Sequence, residues 1–293
     1  MRKYTCFCKE ESIMKRLFYL FTLILTLAIL SPNGRTEPVV TDGLVSYWTF
    51  DQKDIAGGTV KDVWGENDGK IVGAPKIVGG HVGEALEFDG SDDYVNLTNL
   101  GDFGEQVATS TFEAWVKTSF KKDWTTLFKV LDQGCNMAWA IDINRSAKAG
   151  FPFAEDIVHY YVRQKSAAGC NAIAVEIEFA LSDGKWHHIV FAIEDAGESE
   201  VSIYMDGEPQ EVIVGDAKKL DTFIPFVEPV YIGAANNRGN VERFFPGIID
   251  EVRIYDRPLT DAEVRRNFES KIGLSVDATE KLPLVWGTLK RAR

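Results

Sequence analysis

Hydrophobic and polar residues alternate along much of this chain with a period of two, the period of a strand that buries one face. In the segment IAVEIEF, Glu176 and Glu178 fall on one face and the aliphatic side chains fall on the other. Segments of this type are rich in Val, Ile and aromatic residues and are separated by turns containing Gly, Asp or Asn. They predict strands over residues 44–50, 110–118, 125–130, 138–144, 157–163, 173–179, 186–193, 201–205 and 247–255.

One stretch of the domain has a helical pattern, at residues 259–268. Thr260 followed three residues later by Glu263 has the spacing of a capping box, and Pro258 separates this stretch from the preceding strand. Many short strands with turn signals between them predict an all-β fold. The expected architecture is an antiparallel two-sheet sandwich of the jelly-roll kind with one short C-terminal helix.

The N-terminal part of the chain contains an uninterrupted apolar run of 14 residues, 17–30, preceded by Lys15 and Arg16. A bilayer-spanning helix needs about 20 residues, whereas the hydrophobic region of a secretory signal is shorter. No clear cleavage pattern follows the run. Residues 1–34 are therefore predicted to be a signal peptide, with an uncleaved N-terminal anchor or a buried core helix as alternatives. The signal and the anchor both predict a protein that is secreted or held at the cell surface.

Cysteine usage agrees with export. Cys6 and Cys8 precede the apolar run, and Cys135 and Cys170 remain in the domain. An even number of cysteines in an oxidising compartment predicts a disulfide between Cys135 and Cys170, and such a loop closure contributes roughly 3–4 kcal/mol. The alternative is two separate buried thiols.

The charge of the chain restricts its partners. The formal net charge is -12, and no run of Lys and Arg occurs within the body of the chain. Binding to nucleic acid needs a clustered cationic face, so a nucleic-acid partner is not expected. A membrane is expected as a partner only through an uncleaved anchor. Residues 43–270 form the predicted sandwich, and residues 271–293 form a tail with a basic end, predicted to be a solvated terminus.

Several segments, taken together and in this order, resemble the laminin-G-like, concanavalin A-like lectin/glucanase jelly-roll domains, which are related to the pentraxins. The segments are GLVSYWTFD, NDGKIVG, GEALEFDGSDDYVN, FEAWVKT, DGKWHHIVF, IYMDGE, YIGA and GIIDEVRIYDRPLTDAEV, within residues 43–268. The resemblance implies two antiparallel sheets, a bound calcium in many members, and a role in binding glycans or proteins.

Calcium requires six to eight oxygen ligands, and the chain contains no EF-hand loop, so a site has to come from separate loops. Asp250 lies in an otherwise apolar strand, where a buried carboxylate needs a cation or hydrogen-bond donors. The resemblance implies that the first and last strands are neighbours, which brings Asp250 beside Asp51. We therefore expect one structural calcium held by Asp51, Asn67 and Asp250. Alternatively, Asp250 accepts backbone N–H groups and Asp51 caps a turn.

A second acidic group, Asp89, Ser91, Asp92 and Asp93, is interpreted as a solvated turn, with a role in binding a ligand as the alternative. The pair His187 and His188 has no partners at metal-ligand spacing, and it is interpreted as structural and buried.

The candidate ligand contacts are aromatic and polar residues outside the obvious core. We select Tyr160, Phe151, Asn236 and Arg238 from a larger set that includes Trp124, Phe153, His159, Tyr161 and Arg163. Because Tyr160 and Tyr161 are adjacent in a strand, one of the two must face away from the other.

A catalytic function is not expected. Glycoside hydrolysis needs two carboxylates that flank one bond, and Glu176 and Glu178 lack a third acid because Ala180 occupies the next position on that face. The sequence predicts a non-catalytic extracellular recognition module that binds a glycan or an extracellular protein. The alternatives are a structural spacer for cell adhesion and a divergent glycan-active enzyme.

Overall fold

The computed structural model describes residues 38–121, 124–131, 138–144, 155–166, 169–196, 198, 200–217, 220 and 226–273. The strands in chain order are β1 Leu44–Trp48, β2 Ile55–Ala56, β3 Thr59–Val60, β4 Gly69–Val72, β5 Lys76–Gly79, β6 Glu84–Asp89, β7 Tyr94–Leu97, β8 Ser110–Lys117, β9 Thr125–Leu131, β10 Ala138–Ile143, β11 Ile157–Ser166, β12 Gly169–Glu178, β13 Trp186–Asp195, β14 Glu200–Met205, β15 Glu208–Pro209, β16 Val214–Ala217, β17 Val230–Ile232, β18 Ala235–Asn237, β19 Asn240–Glu242 and β20 Pro246–Tyr255. The helical elements are the α-helix α1 at Asp261–Glu269 and two 3-10 segments, Gln52–Asp54 and Thr98–Thr109.

The strands form two large antiparallel sheets and one small hairpin. The eight-stranded sheet has the order β15-β14-β13-β8-β20-β6-β5, and β1 also pairs with β20. The ten-stranded sheet has the order β16-β12-β11-β10-β9-β17-β7-β4-β3-β2, and β18 pairs with β19. This arrangement confirms the predicted antiparallel two-sheet sandwich, including the pairing of the first and last strands. No helix in the described part of the chain is long and apolar enough to cross a bilayer.

The main core lies between the two large sheets, where aromatic side chains from both inner faces meet. Trp139 contacts Phe128 at a centroid distance of 4.8 Å and Phe112 at 6.3 Å, both with near-perpendicular rings. Aromatic pairs prefer such edge-to-face geometry. The predicted strands that alternate in sequence turn their apolar positions toward this core, which explains why they form a sandwich rather than isolated hairpins.

Helix α1 confirms the predicted capping box. The Thr260 side chain accepts from the Glu263 N–H and the Glu263 carboxylate accepts from the Thr260 N–H. The helix packs on the outer face of the eight-stranded sheet, where Val264 is buried. The Asn267 amide donates to both carboxylate oxygens of Glu113 at 3.0 Å, so a polar contact also fixes the helix to β8.

A buried polar network lies beneath the helix. Arg253 Nη1 donates to Glu113 at 2.6 Å, and Arg253 also contacts Glu251 and the hydroxyl of Tyr47. Glu251 has a positive φ of 53°, and the pairing of β20 with β8 shifts register between Asp250 and Arg253. This irregularity lets β20 direct both Asp250 and Arg253 to the outer face.

Candidate functional site

The outer face of the ten-stranded sheet carries a row of polar side chains that is unusual for its burial. Asp142 on β10 pairs directly with His159 on β11, and His159 pairs directly with Glu176 on β12. Directly opposed residues of antiparallel strands lie on the same face, so the three ionisable groups are side by side. All three are buried, at 0%, 1% and 2% exposure. Burial of charged groups requires partners, and Asp142 has several.

Asp142 is the centre of this group. One carboxylate oxygen accepts from the Thr126 hydroxyl at 2.6 Å. The other lies 3.5 Å from Lys129 Nζ and 3.8 Å from His159 Nδ1. The register between β9 and β10 shifts between Ile141 and Asp142, which is the mark of a β-bulge.

Aromatic side chains lie next to this charged group. The guanidinium of Arg243 lies 3.8 Å from the centre of the Trp124 ring and the ammonium of Lys129 lies 5.4 Å from it. Both distances are within the range of a cation–π interaction. Tyr94 and Tyr231 form a second aromatic pair with ring centroids 4.6 Å apart. We call Trp124, Lys129, Asp142, His159 and Tyr231 the outer-face site.

The structure resolves the orientation of the two adjacent tyrosines. Tyr160 is fully buried between the sheets, where its ring stacks on Phe191 at 4.9 Å and its hydroxyl accepts from Trp139 at 2.9 Å. A ligand at the surface does not reach it. Tyr161 points to the outer face, and its ring stacks near His159 at 6.0 Å. The sequence pattern was sufficient to tell which tyrosine faces the core, because Tyr160 lies on the same strand face as Val158 and Val162.

The other predicted ligand contacts have different positions. Asn236 is buried: its amide donates to the Pro229 carbonyl at 2.6 Å, and its carbonyl accepts from the Gly239 N–H at 2.8 Å. Asn236 therefore shapes the β18–β19 hairpin. Arg238 is exposed at the tip of that hairpin with a positive φ of 58°. Phe151, Cys135 and the side chain of Cys170 lie outside the described residues, so the predicted disulfide stays a prediction.

Asp51 and Asp250 contact the same turn, between β5 and β6. One oxygen of Asp250 accepts from the His81 and Val82 N–H groups at 2.8 and 3.0 Å, while the other is buried without a hydrogen-bond partner. Asp51 accepts from the Glu84 N–H at 2.8 Å. Burial raises the pKa of Asp250 to about 8. A buried carboxylate with an unpaired oxygen suits a cation as its missing partner.

Asn67, the third predicted calcium ligand, has other contacts. Its amide donates to Ser46 at 2.7 Å, its carbonyl accepts from the Trp48 indole at 2.8 Å, and its N–H donates to Asp62 at 3.1 Å. These bonds attach the loop before β4 to the first strand. None of them involves Asp51 or Asp250.

The acidic turn of Asp89, Asp92 and Asp93 is the one group of three His, Cys, Asp or Glu residues within the described ranges whose ligand atoms all lie within 4.8 Å of one another. Backbone groups engage two of its members. Asp93 accepts from the Ala74 N–H at 2.6 Å, and Asp89 accepts from the Ser91 N–H at 2.7 Å. The turn geometry accounts for this cluster.

The two adjacent histidines are buried, as predicted. His187 lies between Asp206 and Asp183, at 2.8 and 3.0 Å from its two ring nitrogens. His188 Nε2 lies 3.5 Å from Glu113, and its ring packs near Trp115 at 5.0 Å. Both histidines connect secondary-structure elements of the eight-stranded sheet.

Sequence reasoning missed Lys129 and Asp142. A period of two separates the faces of a regular strand, but the bulge places both Leu127 and Phe128 in the core. The strand TTLFKV therefore gives no clean alternation from which the outward position of Lys129 could be predicted. Asp142 could have been found as the single charged residue in AWAIDIN, because a buried charge requires a specific environment.

The two stacked antiparallel sheets define a jelly-roll sandwich. A family model described as the concanavalin A-like lectin/glucanases superfamily matches residues 89–265, which is more than half of the chain. The chain therefore belongs to this superfamily. No curated protein sequence gives a significant match.

Solved structures with the same fold come from several kinds of protein. Domain 4 of a GH43 extracellular arabinanase from Geobacillus stearothermophilus, solved with arabinotriose, has a TM-score of 0.52 and 20% identity, covering 76% of this chain and 96% of that one. The binding domain of Paraclostridial Mosquitocidal Protein 1 has a TM-score of 0.54 and 17% identity, covering 78% of this chain. A mutant Trypanosoma rangeli sialidase has a TM-score of 0.55 and 19% identity, covering 81% of this chain.

The chain spans 52% of the mosquitocidal binding domain and 35% of the sialidase. At these identities the likeness shows the shared fold.

Proposed function

We propose that this protein is a non-catalytic extracellular recognition module that binds a glycan on the outer face of its ten-stranded sheet. The observation that carries the proposal is the outer-face site, where Trp124 and Tyr231 lie beside Lys129, Asp142 and His159. Aromatic rings offer apolar faces to a sugar ring, and Trp124 is the partly exposed aromatic of this site, whereas Lys129, Asp142, His159 and Tyr231 are buried around it. The arabinotriose complex of a domain with the same fold is consistent with this class of ligand.

Trp124, the partly exposed member of the site, defines how binding is tested. It is half-buried, and the Arg243 guanidinium lies 3.8 Å from the centre of its ring. We expect Trp124→Ala to weaken binding to an arabino-oligosaccharide or to the strongest ligand on a glycan array by at least tenfold, about 1.4 kcal/mol. Isothermal titration calorimetry measures the loss. Trp64→Ala is the matched control, because Trp64 is also a half-buried tryptophan but packs beside the outer cluster of the eight-stranded sheet.

Equal binding by both variants and the unmutated protein would place the ligand elsewhere. A glycan array with no bound ligand would favour the structural spacer for cell adhesion, in which the fold presents no specific small-ligand site. A glycan array that is silent while an extracellular protein binds would favour a protein ligand.

A second candidate function is that of a divergent glycan-active enzyme. Asp142 and Glu176 lie two strands apart on one sheet face, separated by His159. Two strand spacings are roughly 9.5 Å, which is near the carboxylate separation of inverting glycosidases. We favour a non-catalytic role because Thr126 and Lys129 already engage both oxygens of Asp142. Hydrolysis of labelled polysaccharide that disappears in Glu176→Gln would establish the enzyme instead.

We also propose one structural calcium at the turn between β5 and β6, with Asp250 and Asp51 as its carboxylate ligands. The buried, unpartnered oxygen of Asp250 supports this site. Asn67 donates its side-chain amide N–H to Ser46, and its backbone carbonyl accepts from Trp48, so both contacts direct it toward the first strand rather than toward Asp250.

Calorimetry with EDTA and with added calcium tests the site. We expect calcium to raise the melting temperature of the unmodified protein and to leave that of Asp250→Asn unchanged, because ligand binding to the folded state alone stabilises it. Asp92→Asn, in the acidic turn, is the matched control and should keep the calcium response. A melting temperature that is the same in EDTA and in calcium would remove the proposal.

Export of the protein, through the segment at residues 1–34, is part of the same proposal. The apolar run at residues 17–30 supports it. Expression of the full chain with a C-terminal epitope, followed by fractionation and N-terminal sequencing, distinguishes a cleaved signal peptide from a retained anchor. Retention of the intact chain in the cytoplasm would contradict export.

A further inference from the structure

A second row of polar side chains crosses the outer face of the eight-stranded sheet, away from helix α1. Lys76 on β5 pairs with Glu87 on β6, Glu87 pairs with Ile248 on β20, and Ile248 pairs with Lys117 on β8. Lys117 in turn pairs with Trp186 on β13. Because directly opposed residues share a face, these five side chains form one continuous row across five adjacent strands.

The row lies along an open groove. A cavity of about 640 Å³ has two lysines, Lys76 and Lys117, and four carboxylates in its lining, together with Ser119 and Ile248; the carboxylates are those of Glu87, Asp89, Asp92 and Asp93. Its size is within the usual range for ligand sites, about 300–1,000 Å³. Lys76 and Lys117 start from strands three positions apart, so their backbones are roughly 14 Å from each other. The groove can therefore hold an extended ligand that runs across the strands.

Among the charged groups of the groove, Asp89 and Asp93 accept backbone N–H groups, whereas Lys76, Lys117 and Glu87 have no such contact in the described part of the chain. Several described basic side chains form ion pairs, such as Lys53 with Asp51, Lys185 with Asp183 and Arg257 with Glu263. Within the described residues, no ion pair or side-chain hydrogen bond engages Lys76, Lys117 or Glu87. In an acidic protein of net charge -12, carboxylates are abundant, so two unpaired ammonium groups in one groove are notable. Such groups are available to a ligand.

The order of charges indicates the chemistry of that ligand. The two ammonium groups favour anions at their own ends of the groove, whereas the four carboxylates repel anions and accept hydrogen bonds from hydroxyl groups. Trp186 lies beside Lys117, next to the cavity lining, where it is half-buried and packs edge-on against His81 at 6.1 Å. A chain that carries a carboxylate at intervals and hydroxyls between them matches this alternation. A uniformly anionic chain, such as an acidic peptide, would be repelled by Glu87 and Asp92.

We propose that this groove is a second ligand site that binds a carboxylated saccharide, with one carboxylate at Lys117, its sugar ring against Trp186, and a second carboxylate at Lys76. The site is distinct from the outer-face site, because it lies on the other sheet.

Isothermal titration calorimetry with uronic-acid oligosaccharides, built from galacturonate, glucuronate or mannuronate, tests the proposal. The comparison ligands are the same oligosaccharides with each carboxylate reduced to a primary alcohol. We expect at least one acidic oligosaccharide to bind, with affinity that falls as salt is raised, and its reduced form to bind at least tenfold more weakly.

Lys117→Met and Lys76→Met keep the aliphatic stem and remove the charge, and each should weaken binding at least tenfold. Lys61→Met is the matched control, because Lys61 is an exposed lysine outside the groove, and it should leave binding unchanged. Three results would each overturn the proposal: no binding by any acidic oligosaccharide, equal binding of the reduced ligand, or unchanged affinity in both groove variants. Equal binding by polyglutamate would replace the saccharide with an acidic peptide.

The test of the groove and the test of the outer-face site can give different results, because each site has its own variant. Trp124→Ala should leave binding of the acidic oligosaccharide intact, while Lys117→Met should leave binding at the outer-face site intact. Loss of uronate binding in Trp124→Ala, with no effect of Lys117→Met, would assign the acidic ligand to the outer-face site and leave the groove without one.

Discussion

Arg253 donates from Nη1 to Oε1 of Glu113 over 2.6 Å, although both side chains are almost completely excluded from solvent. Burial acts to raise the pKa of Glu113, but the charge of Arg253 and the contact with His188 outweigh it and hold the pKa at about 2. Glu113 is therefore ionised at neutral pH. The pair joins β20 to β8 under helix α1, and Asn267 on the helix completes the hydrogen bonds of the carboxylate.

Removing one partner of this pair should destabilise the protein strongly. In Arg253→Met, Glu113 loses its counter-charge while it stays buried, and breaking a buried pair in this way costs about 3–5 kcal/mol. Urea denaturation measures the free energy of unfolding. Arg265→Met is the control, because Arg265 pairs with Glu208 at 2.9 Å on the exposed surface, where such pairs contribute about 1 kcal/mol or less. Equal losses in the two variants would contradict a special role of burial.

The two adjacent tyrosines of β11 should respond differently to loss of the hydroxyl. Tyr160→Phe removes the acceptor of the buried Trp139 indole N–H, and an unsatisfied buried donor costs about 1–3 kcal/mol. Tyr161→Phe lies on the outer face and should change stability by about 0.5 kcal/mol or less. Thermal and urea unfolding of both variants provide the measurement. A larger loss of stability in Tyr161→Phe than in Tyr160→Phe would mean that Tyr161, and not Tyr160, points into the core.

The contribution of the capping box of α1 to stability can be tested with two substitutions of Thr260. Thr260→Ala removes the hydroxyl that accepts from the Glu263 N–H and should lower the unfolding free energy by about 1 kcal/mol. Thr260→Ser keeps the hydroxyl and should retain most of that stability. If the serine and alanine variants unfold at the same urea concentration, the cap does not contribute.

His187 should make stability depend on pH. Hydrogen bonding to Asp206, and secondarily to Asp183, raises the pKa of His187 in spite of its burial. A raised pKa in the folded state means that the charged imidazolium is stabilised by folding. This contribution is fully present below the ordinary histidine value of about 6.5, and it is lost as the pH rises through the higher pKa of the folded state.

The test compares melting temperatures across this pH range. The unmodified protein should lose stability relative to His187→Gln as the pH is raised above about 6.5. His81→Gln is the matched control, because burial lowers the pKa of His81 to about 4 and so leaves it neutral across the whole window. Parallel curves for the unmodified protein and His187→Gln would contradict the assignment.

Local sequence spacing was sufficient to predict nine of the twenty strands of the described structure, and the helix. The nine predicted strands correspond to β1, β8 to β14 and β20, and the helix begins after its predicted N-cap, Thr260. These features depend on residues that are close in sequence, so a period of two or a cap spacing can be read directly. The 3-10 segment Thr98–Thr109 was not predicted, although its buried Leu100, Phe103 and Val107 have a helical spacing.

The sequence by itself therefore determined the sandwich class, nine of its strands and the family to which the chain belongs. Only the tertiary structure decided which polar side chains lie together on each sheet face. Alternation shows which residues share a face, but two bulges, at Asp142 and at Glu251, change that pattern locally. The row from Lys76 to Trp186 joins five strands that are distant in the chain. Such a row exists only once strand order and register are set, since these depend on contacts between distant segments.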